Sequence, residues 1–548
     1  MTAVDAAPAR GVSVGRATAV SGLLIGTGTV LGFLRDLTMA HQFGATSGTD
    51  AFLVGWTIPE TVSPLLIEDA MALAVVPAIS HALHRHGGVR PLVAAALPRL
   101  TALLALTALL TAVAAPYLVS VLAPGLSDAT DAVRCVRLTS LTILTFGIAG
   151  FMGATLRAHH CFGPPAAIYA AYNVGILAMI GAFHEPLGVT SAALGVAFGS
   201  LLMVAVVAPI FARCVTPARA SARTERGEAG SRAAFVGLAA LAPIVIWSLT
   251  RQAQTLVERF LGSSLAEGSI SYLNYAQKVA QVPTMLSLLL VTVTFPRLAR
   301  ASADGDLGQI RRRMEMDVVG VGAMVLCATA FLIAFAPSVI SILFQHGRFT
   351  KDDTDTTALI MRVYSLGLLG QAMVGVAGRG FFAHRTPRWY PVLCVAIGLV
   401  VTAIVGVATL GVFGVGGLAA ANALGISVAA VLLFVGLRSR VAPLSLRRTG
   451  KDLVTLLFAA VLATAVGCLL QEGLAKEMPP VLLLALGGVV LLAVFGTALL
   501  VACAYRGFTT PARGAATGEG TSPLEFYFPF VVRATSRVVS RFDRGGVR

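Results

Sequence analysis

The feature that most constrains this chain is a series of apolar runs that recurs from near residue 17 to near residue 504. A helix needs about 20 predominantly apolar residues to cross the hydrocarbon core of a bilayer. We delimit fourteen runs of that length or longer. They are 17–40, 50–83, 95–122, 135–157, 164–183, 189–212, 233–260, 268–296, 316–344, 356–382, 389–410, 413–437, 452–470 and 480–504. The pattern predicts an all-α, polytopic membrane protein with about 14 transmembrane helices.

Composition excludes the other broad classes. Of the 548 residues, 56% are hydrophobic and 12% are charged, whereas a soluble protein carries about 25% charged residues. A soluble enzyme, a disordered scaffold and a secreted disulfide-rich domain are therefore excluded. An outer-membrane barrel would show alternating segments of about 10 residues instead of continuous apolar runs. The formal net charge of +15 lies mainly in short loops, which favours a topology signal over nucleic-acid binding.

The basic loops alternate along the chain. Arginines stand before the first run and after each even-numbered run, as in 213–232 and 297–313. The odd-numbered loops are poor in basic residues or offset them with acids. Since positive charge marks the cytoplasmic side, both termini are predicted to be cytoplasmic, as an even number of spans also requires.

A weak internal repeat suggests two halves. Pro77 near the end of the second run and Pro296 near the end of the eighth are 219 residues apart. That separation is six helices, so the copies would share one membrane orientation and form two six-helix lobes related by a pseudo-two-fold axis; coincidence is the alternative. The resulting organisation is a cytoplasmic N-terminus (1–16), an N-lobe of helices 1–6 (17–214), a basic cytoplasmic linker (215–232), a C-lobe of helices 7–12 (233–440), helices 13 and 14 (441–505) and a basic cytoplasmic tail (506–548).

Ionisable side chains inside the spans cluster in helices 1, 2, 7 and 8, where a cleft between the lobes would open. Such groups are expensive in a bilayer and mark transport pathways by default. Eight of them form the predicted site. Five are expected to bind substrate and three to act as gates or in ion coupling: Arg35, Asp36, Asp50, Arg251 and Lys278, and then Glu60, Glu68 and Glu258.

Arg35 and Lys278 would suit an anionic ligand such as a phosphate. Adjacent residues of a helix point about 100° apart, so Arg35 and Asp36 are expected to find partners on other helices; a local pair or snorkelling to an interface is the alternative. For Glu258 the alternative is an interfacial acid, and for Glu68 it is hydrogen bonding between helices. No Walker A sequence and no catalytic cluster is present. We therefore predict a transporter and not an enzyme, with no cofactor, driven by Na⁺, H⁺, membrane potential or a substrate gradient.

Several short motifs resemble the start and middle of one family. They are Gly32-Phe33-Leu34-Arg35-Asp36, Thr49-Asp50-Ala51-Phe52, Phe295-Pro296-Arg297-Leu298 and Leu343-Phe344-Gln345-His346-Gly347-Arg348-Phe349. In this order, from about residue 20 to 440, the chain resembles the MurJ/MviN family of the multidrug/oligosaccharidyl-lipid/polysaccharide exporter superfamily.

The resemblance implies a fold and a function. The family has two six-helix lobes plus two extra helices, and its members flip the undecaprenyl-linked peptidoglycan precursor, lipid II, across the cytoplasmic membrane for cell-wall synthesis. By resemblance, Arg35, Asp36 and Asp50 match polar positions of a central cavity, and Lys278 matches a position that is usually Arg. Implied partners are the undecaprenyl-pyrophosphate-linked substrate, membrane lipids and the cell-wall synthesis machinery. By resemblance, the protein would move its substrate by alternating access, and Arg35 and Lys278 would hold the pyrophosphate.

The chain departs from the family pattern at several cavity positions. Thr29 and Ser63 stand where the family has arginines, and Glu60 stands where it has Asn. Glu258 matches an acid that contributes to a sodium site in some members, but span 11 here has no Asp, Asn or Glu, which puts that site in doubt. Export of another lipid-linked or amphiphilic molecule, or a non-transporting scaffold of envelope assembly, therefore remains as an alternative.

Overall fold

The computed structural model describes residues 14–86, 89–127, 129–215, 229–382 and 389–509. Most of the predicted N-terminus, linker and basic tail lies outside these described residues. The chain divides into two compact units, Met1–Ser271 and Tyr272–Arg548. This boundary reflects packing and falls after the predicted seventh span, so the internal repeat and its lobe boundaries stay a prediction.

The described part of the first unit holds ten α-helices and one π-helical segment, together with the first residues of an eleventh helix. In chain order they are α1 (Val14–Phe43), α2 (Ser47–Ser63), the π-helical segment Pro64–Asp69, α3 (Ala70–His86), α4 (Arg90–Val113), α5 (Ala115–Leu122), α6 (Ala129–Thr139), α7 (Leu141–Ala158), α8 (Gly163–Leu187), α9 (Thr190–Val215) and α10 (Ala229–Gly262).

The second unit contains most of α11 and seven further helices. They are α11 (Ser269–Asp304), α12 (Leu307–Ala334), α13 (Ala336–Phe344), α14 (Lys351–Ser365), α15 (Leu368–Phe382), α16 (Tyr390–Arg440), α17 (Leu446–Leu474) and α18 (Pro480–Thr509). The long α16 is broken at Gly414, whose φ of 52° lies in the left-handed region that glycine adopts without penalty.

The all-α polytopic fold predicted from the apolar runs is confirmed. Each of the fourteen predicted runs contains at least one helix, with α16 serving two of them. Within the described residues, nine helices are long and apolar enough to cross a membrane, or ten if the bent pair α14 and α15 forms one span. The charged helices α10 and α11 are 34 and 36 residues long but less apolar. The protein is a multi-pass membrane protein.

Small residues bring the helices of the first unit close together. A side chain at Gly28 of α1 would meet the Cβ of Tyr169 on α8 at 3.1 Å, and one at Gly175 of α8 would meet the Cα of Gly199 on α9 at 2.5 Å. Helices in a bilayer associate through such close packing, because lipid supplies no hydrophobic drive. The approach of α1 to α8 places polar groups of both helices within hydrogen-bonding distance, and these groups form part of the candidate site.

Candidate functional site

Arg35 and Asp36 form a buried ion pair on α1. The Nε and Nη2 atoms of Arg35 both donate to Oδ1 of Asp36, at 3.0 and 2.7 Å, and both residues are 8% exposed. The local pair, which the sequence left open as the alternative, is present, and Arg35 also contacts residues of α2 and α8, as expected of a partner on another helix. The Cβ atoms of Arg35 and Asp36 diverge, but the long guanidinium side chain curls back to its neighbour, because a buried cation gains most from the closest carboxylate.

Two further residues fix the Arg35 guanidinium. Its Nη1 donates to Oδ1 of Asn173 at 3.3 Å, and its Cζ lies 4.2 Å from the ring centroid of Trp56. Asn173 is itself held, since its Nδ2 donates to the carbonyls of Gly28 and Tyr169 at 3.1 and 3.0 Å. Carboxylate, amide and aromatic face therefore lock one rotamer, and cation–π contact with Trp56 is worth about 0.5–2 kcal/mol.

Three of the five N–H groups of Arg35 donate in this arrangement. The other two have no acceptor among the residues that the structure describes. A rotationally fixed guanidinium with two available N–H groups can bind one oxyanion by donating both groups to it, in a bidentate or bridged geometry. The pair thus has the chemistry of a phosphate-binding arginine.

A second arginine–carboxylate pair joins α2 to α10. Nη2 of Arg259 lies 3.6 Å from Oε2 of Glu60. Gln252, two turns earlier on α10, donates from Nε2 to the backbone carbonyl of Glu60 at 2.6 Å. Pro64 has no N–H to give to that carbonyl four residues before it, so the glutamine supplies a hydrogen bond that the helix itself cannot form.

Asp50 is buried near the start of α2 and holds the first turn of α11. Its Oδ2 accepts from the backbone N–H of Gly268 at 2.9 Å, and its Oδ1 accepts from the N–H and the hydroxyl of Ser271 at 2.8 and 2.6 Å. A carboxylate in this position satisfies N–H groups that a helix leaves free at its N-terminus and complements the helix dipole. The predicted role of Asp50 in binding substrate stays a prediction.

The π-helical segment Pro64–Asp69 interrupts the second predicted span. Tyr169 of α8 contacts it at both ends, since its hydroxyl donates to Oε1 of Glu68 at 2.8 Å and lies 3.2 Å from Oγ of Ser63. Arg157 of α7 donates to the carbonyl of Ile67 at 3.3 Å. Such segments are frequent at functional sites, and this one is fastened by side chains from two neighbouring helices.

The remaining predicted residues lie on α10, on the π-helical segment and on α11. Glu258 is buried on α10, where Oε1 accepts from Nε2 of Gln254 at 3.2 Å. Glu68 and Arg251 are exposed, and Lys278 is half-buried on α11 in the second unit. Within the first unit, the structure thus assembles Arg35 with Asp36, and Glu60 with α10.

Sequence reasoning missed four members of the site as candidates: Trp56, Tyr169, Asn173 and Arg259. Asn173 carried a usable signal, because it is the one amide or charged side chain in the run 164–183 and polar side chains in spans tend to bond across helices. Arg259 was visible as a charge within a span. Trp56 and Tyr169 carried none, since aromatic residues are ordinary components of apolar helices.

The fold is that of a known class of membrane transporters. A solved structure described as the lipid II flippase MurJ in an inward closed conformation superposes with a TM-score of 0.69 at 18% identity, covering 88% of this chain and 100% of that one. A multidrug resistance MATE family transporter of the MOP superfamily, in an inward-facing conformation, superposes with a TM-score of 0.59 at 13% identity, covering 79% and 99%. At these identities the likeness establishes the fold alone.

Sequence comparison establishes the family. The family profile for "Lipid II flippase MurJ" matches residues 39–487. The lipid II flippase MurJ of Burkholderia cenocepacia is 27% identical over 427 residues, covering 75% of this chain and 81% of that protein. The probable lipid II flippase MurJ of Rhizobium meliloti is 25% identical over 390 residues, covering 69% and 72%. The chain belongs to the lipid II flippase MurJ family, as its motifs predict.

Proposed function

We propose that this protein is a flippase that moves lipid II across the bacterial cytoplasmic membrane by alternating access. The observation that carries the proposal is the Arg35 cluster, in which a buried guanidinium is held in one rotamer with two N–H groups available. Membership of the MurJ family supports the substrate. Lipid II carries a pyrophosphate, and a fixed arginine fork in a low-dielectric site binds phosphate oxygens strongly.

The work of the site is binding and release, with no bond made or broken. Arg35 contacts the pyrophosphate while the undecaprenyl chain stays in the lipid. Lys278 of the second unit stays a candidate for substrate binding. No cofactor is needed; Na⁺, H⁺ or the membrane potential drives the cycle. The proposal places both termini in the cytoplasm, in line with the alternation of basic loops, and includes contacts with the cell-wall synthesis machinery.

One observation favours a second candidate cargo. The side chains that replace two family arginines are both engaged in neutral hydrogen bonds: Thr29 donates to the carbonyl of Ile25 at 3.1 Å, and Ser63 lies 3.2 Å from the Tyr169 hydroxyl. The site is therefore less basic than the family pattern. Export of another lipid-linked or amphiphilic molecule with a less charged head group is the corresponding alternative.

Complementation tests the proposal. A bacterium depleted of its own lipid II flippase would express the wild-type chain, Arg35→Ala, Arg35→Lys, Lys278→Ala or the control Arg134→Ala. Arg134 is a fair control because its side chain is 62% exposed and, among the described residues, pairs with Asp131 alone, at 3.3 Å. We expect rescue by the wild type and the control, loss with Arg35→Ala, and partial rescue with Arg35→Lys, because a lysine lacks the planar fork.

Other outcomes would contradict it. A membrane-inserted wild type that fails to rescue, yet confers drug resistance when overproduced, would favour export of another amphiphile. Rescue by every arginine and lysine variant, with loss on deletion of the tail 506–548, would favour a scaffold.

A further inference from the structure

Arg259 is a buried cation with unsatisfied donors. The residue is 4% exposed, its Nε has no hydrogen-bond partner, and its charged neighbour Glu60 lies 3.6 Å from Nη2. That separation exceeds a hydrogen bond. Among the residues that the structure describes, the guanidinium donates no hydrogen bond at all. Buried polar groups nearly always have hydrogen-bond partners in native proteins, so these unmet donors need an explanation even though the charge itself is compensated.

A second buried donor lies in the same region of the first unit. The Tyr172 hydroxyl on α8 is buried without a hydrogen-bond partner and interacts electrostatically with both Arg35 and Glu60. Its ring stacks on Trp56 with centroids 6.1 Å apart. Two buried donors without acceptors thus lie on different helices, both near Glu60. They point to a polar ligand that binds here and accepts hydrogen bonds from both helices.

The two arginine–carboxylate pairs of the first unit differ in strength. Arg35 contacts Asp36 at 2.7 Å, with hydrogen bonds, whereas Arg259 and Glu60 are 3.6 Å apart. A phosphate oxygen would approach a guanidinium to about 2.7–2.9 Å and form charge-assisted hydrogen bonds. The Glu60 side chain is 21% exposed and that of Asp36 is 11% exposed, so Glu60 lies nearer to solvent. An oxyanion therefore exchanges for Glu60 more easily than for Asp36.

The position of the Arg259–Glu60 pair, the looser of the two pairs, indicates its role. Glu60 lies three residues before Ser63, where the family pattern has an arginine, and Gln252 fixes α10 to α2 at this level. We propose that Arg259 is a further substrate-contacting residue, which takes an oxygen of the substrate's diphosphate, and that Glu60 compensates its charge until the substrate arrives. This inference rests on the proposed function. It assigns to Arg259 the positive charge that Ser63 of α2 does not supply.

The sign of the Glu60 effect tests the proposal. Full-length protein in nanodiscs would be titrated with geranyl diphosphate, with geraniol as the uncharged control, and followed by calorimetry and thermal unfolding. Glu60→Gln removes the competing carboxylate, so we expect affinity to rise several-fold while the ligand-free melting temperature falls. Arg259→Gln should lower affinity about tenfold or more, Arg259→Lys less, and Arg134→Gln should change nothing.

The double variant Glu60→Gln/Arg259→Gln keeps the charge balance and remains testable if a single variant fails to fold. We expect it to melt near the wild type yet to bind as weakly as Arg259→Gln. A purely structural pair predicts the reverse, with wild-type affinity in the double variant and no gain in Glu60→Gln. If those variants bind normally while Arg35→Gln does not, the inference fails and the proposed function stands. If Arg35→Gln also binds normally, the proposed site itself is wrong.

Discussion

Asp50 and Glu315 make the same kind of helix cap, each in a different unit of the molecule. Each is a carboxylate on one helix that accepts from the N–H and the hydroxyl of a serine at the start of another. The distances agree: 2.8 and 2.6 Å for Asp50 with Ser271, and 2.8 and 2.6 Å for Glu315 with Ser445. In both cases the acid acts as an N-terminal cap supplied by a different helix.

The surroundings of the two carboxylates differ. Asp50 is 4% exposed and takes a third hydrogen bond from a backbone N–H, and no cation of the described residues lies within ion-pair distance. The Glu315 side chain is 11% exposed, and its Oε1 also accepts from Nε of Arg311 at 3.0 Å, one turn earlier on α12. Identical bonds therefore differ in their surroundings: Glu315 has an arginine within hydrogen-bonding distance, whereas the charge of Arg259 acts on Asp50 only at longer range.

The largest effect is expected from Asp50→Asn. The side-chain amide of Asn places its NH₂ group against backbone N–H groups that need an acceptor. A buried donor is then left without a partner, which costs about 3 kcal/mol. We expect a large fall in thermal stability in nanodiscs and loss of complementation. Asp355→Asn, an exposed acid on α14, is the matched control. Wild-type stability in Asp50→Asn would remove the basis of the comparison.

Ser271→Ala should have an intermediate effect. It deletes the hydroxyl donor but keeps both backbone donors to Asp50, so about 1–1.5 kcal/mol of stability is lost. A double-mutant cycle with Asp50→Asn measures the coupling between the two side chains. Additive losses would show that the 2.6 Å contact contributes nothing of its own.

Glu315→Gln should cost about 1 kcal/mol, less than Asp50→Asn, because its three hydrogen bonds all go to Oε1, which the amide oxygen of Gln can replace. Transport should be unchanged, since the residue joins α12 to the start of α17 and belongs to neither of the arginine pairs described above. Complementation beside a melting curve separates the two readouts. A transport defect without a stability defect would give Glu315 a function that its contacts do not suggest.

The smallest effect is expected from Arg311→Gln. The pair is an i,i+4 contact with an arginine side chain that is 37% exposed, and such pairs contribute about 0.3–0.5 kcal/mol. Raising the salt concentration should erase the difference from wild type, because exposed charges are screened. A loss that persists at high salt would show that Arg311 packs as well as pairs.

The sequence predicted the helices better than their contacts. Each apolar run marks a helix because membrane crossing depends on length and hydropathy, both readable along the chain. Arg35 and Asp36 stood out because charges in spans are rare. The partner of Asp50 could not be read, since Ser271 lies 221 residues away and periodicity says nothing of which side chains meet. The loose pair of Glu60 and Arg259 and the role of Gln252 depend on how α10 packs on α2, so they too required the structure.

The π-helical turn at Pro64–Asp69 also works as a rotational offset. Each residue of an α-helix advances the side-chain direction by about 100°, so the wider turn re-phases everything that follows it. Glu68, which accepts from Tyr169, lies within this turn. Deleting one residue here would leave α2 in place and rotate the side chains of α3 about the helix axis by about a quarter of a revolution. The role of the turn is therefore to set the direction in which the side chains of α3 point.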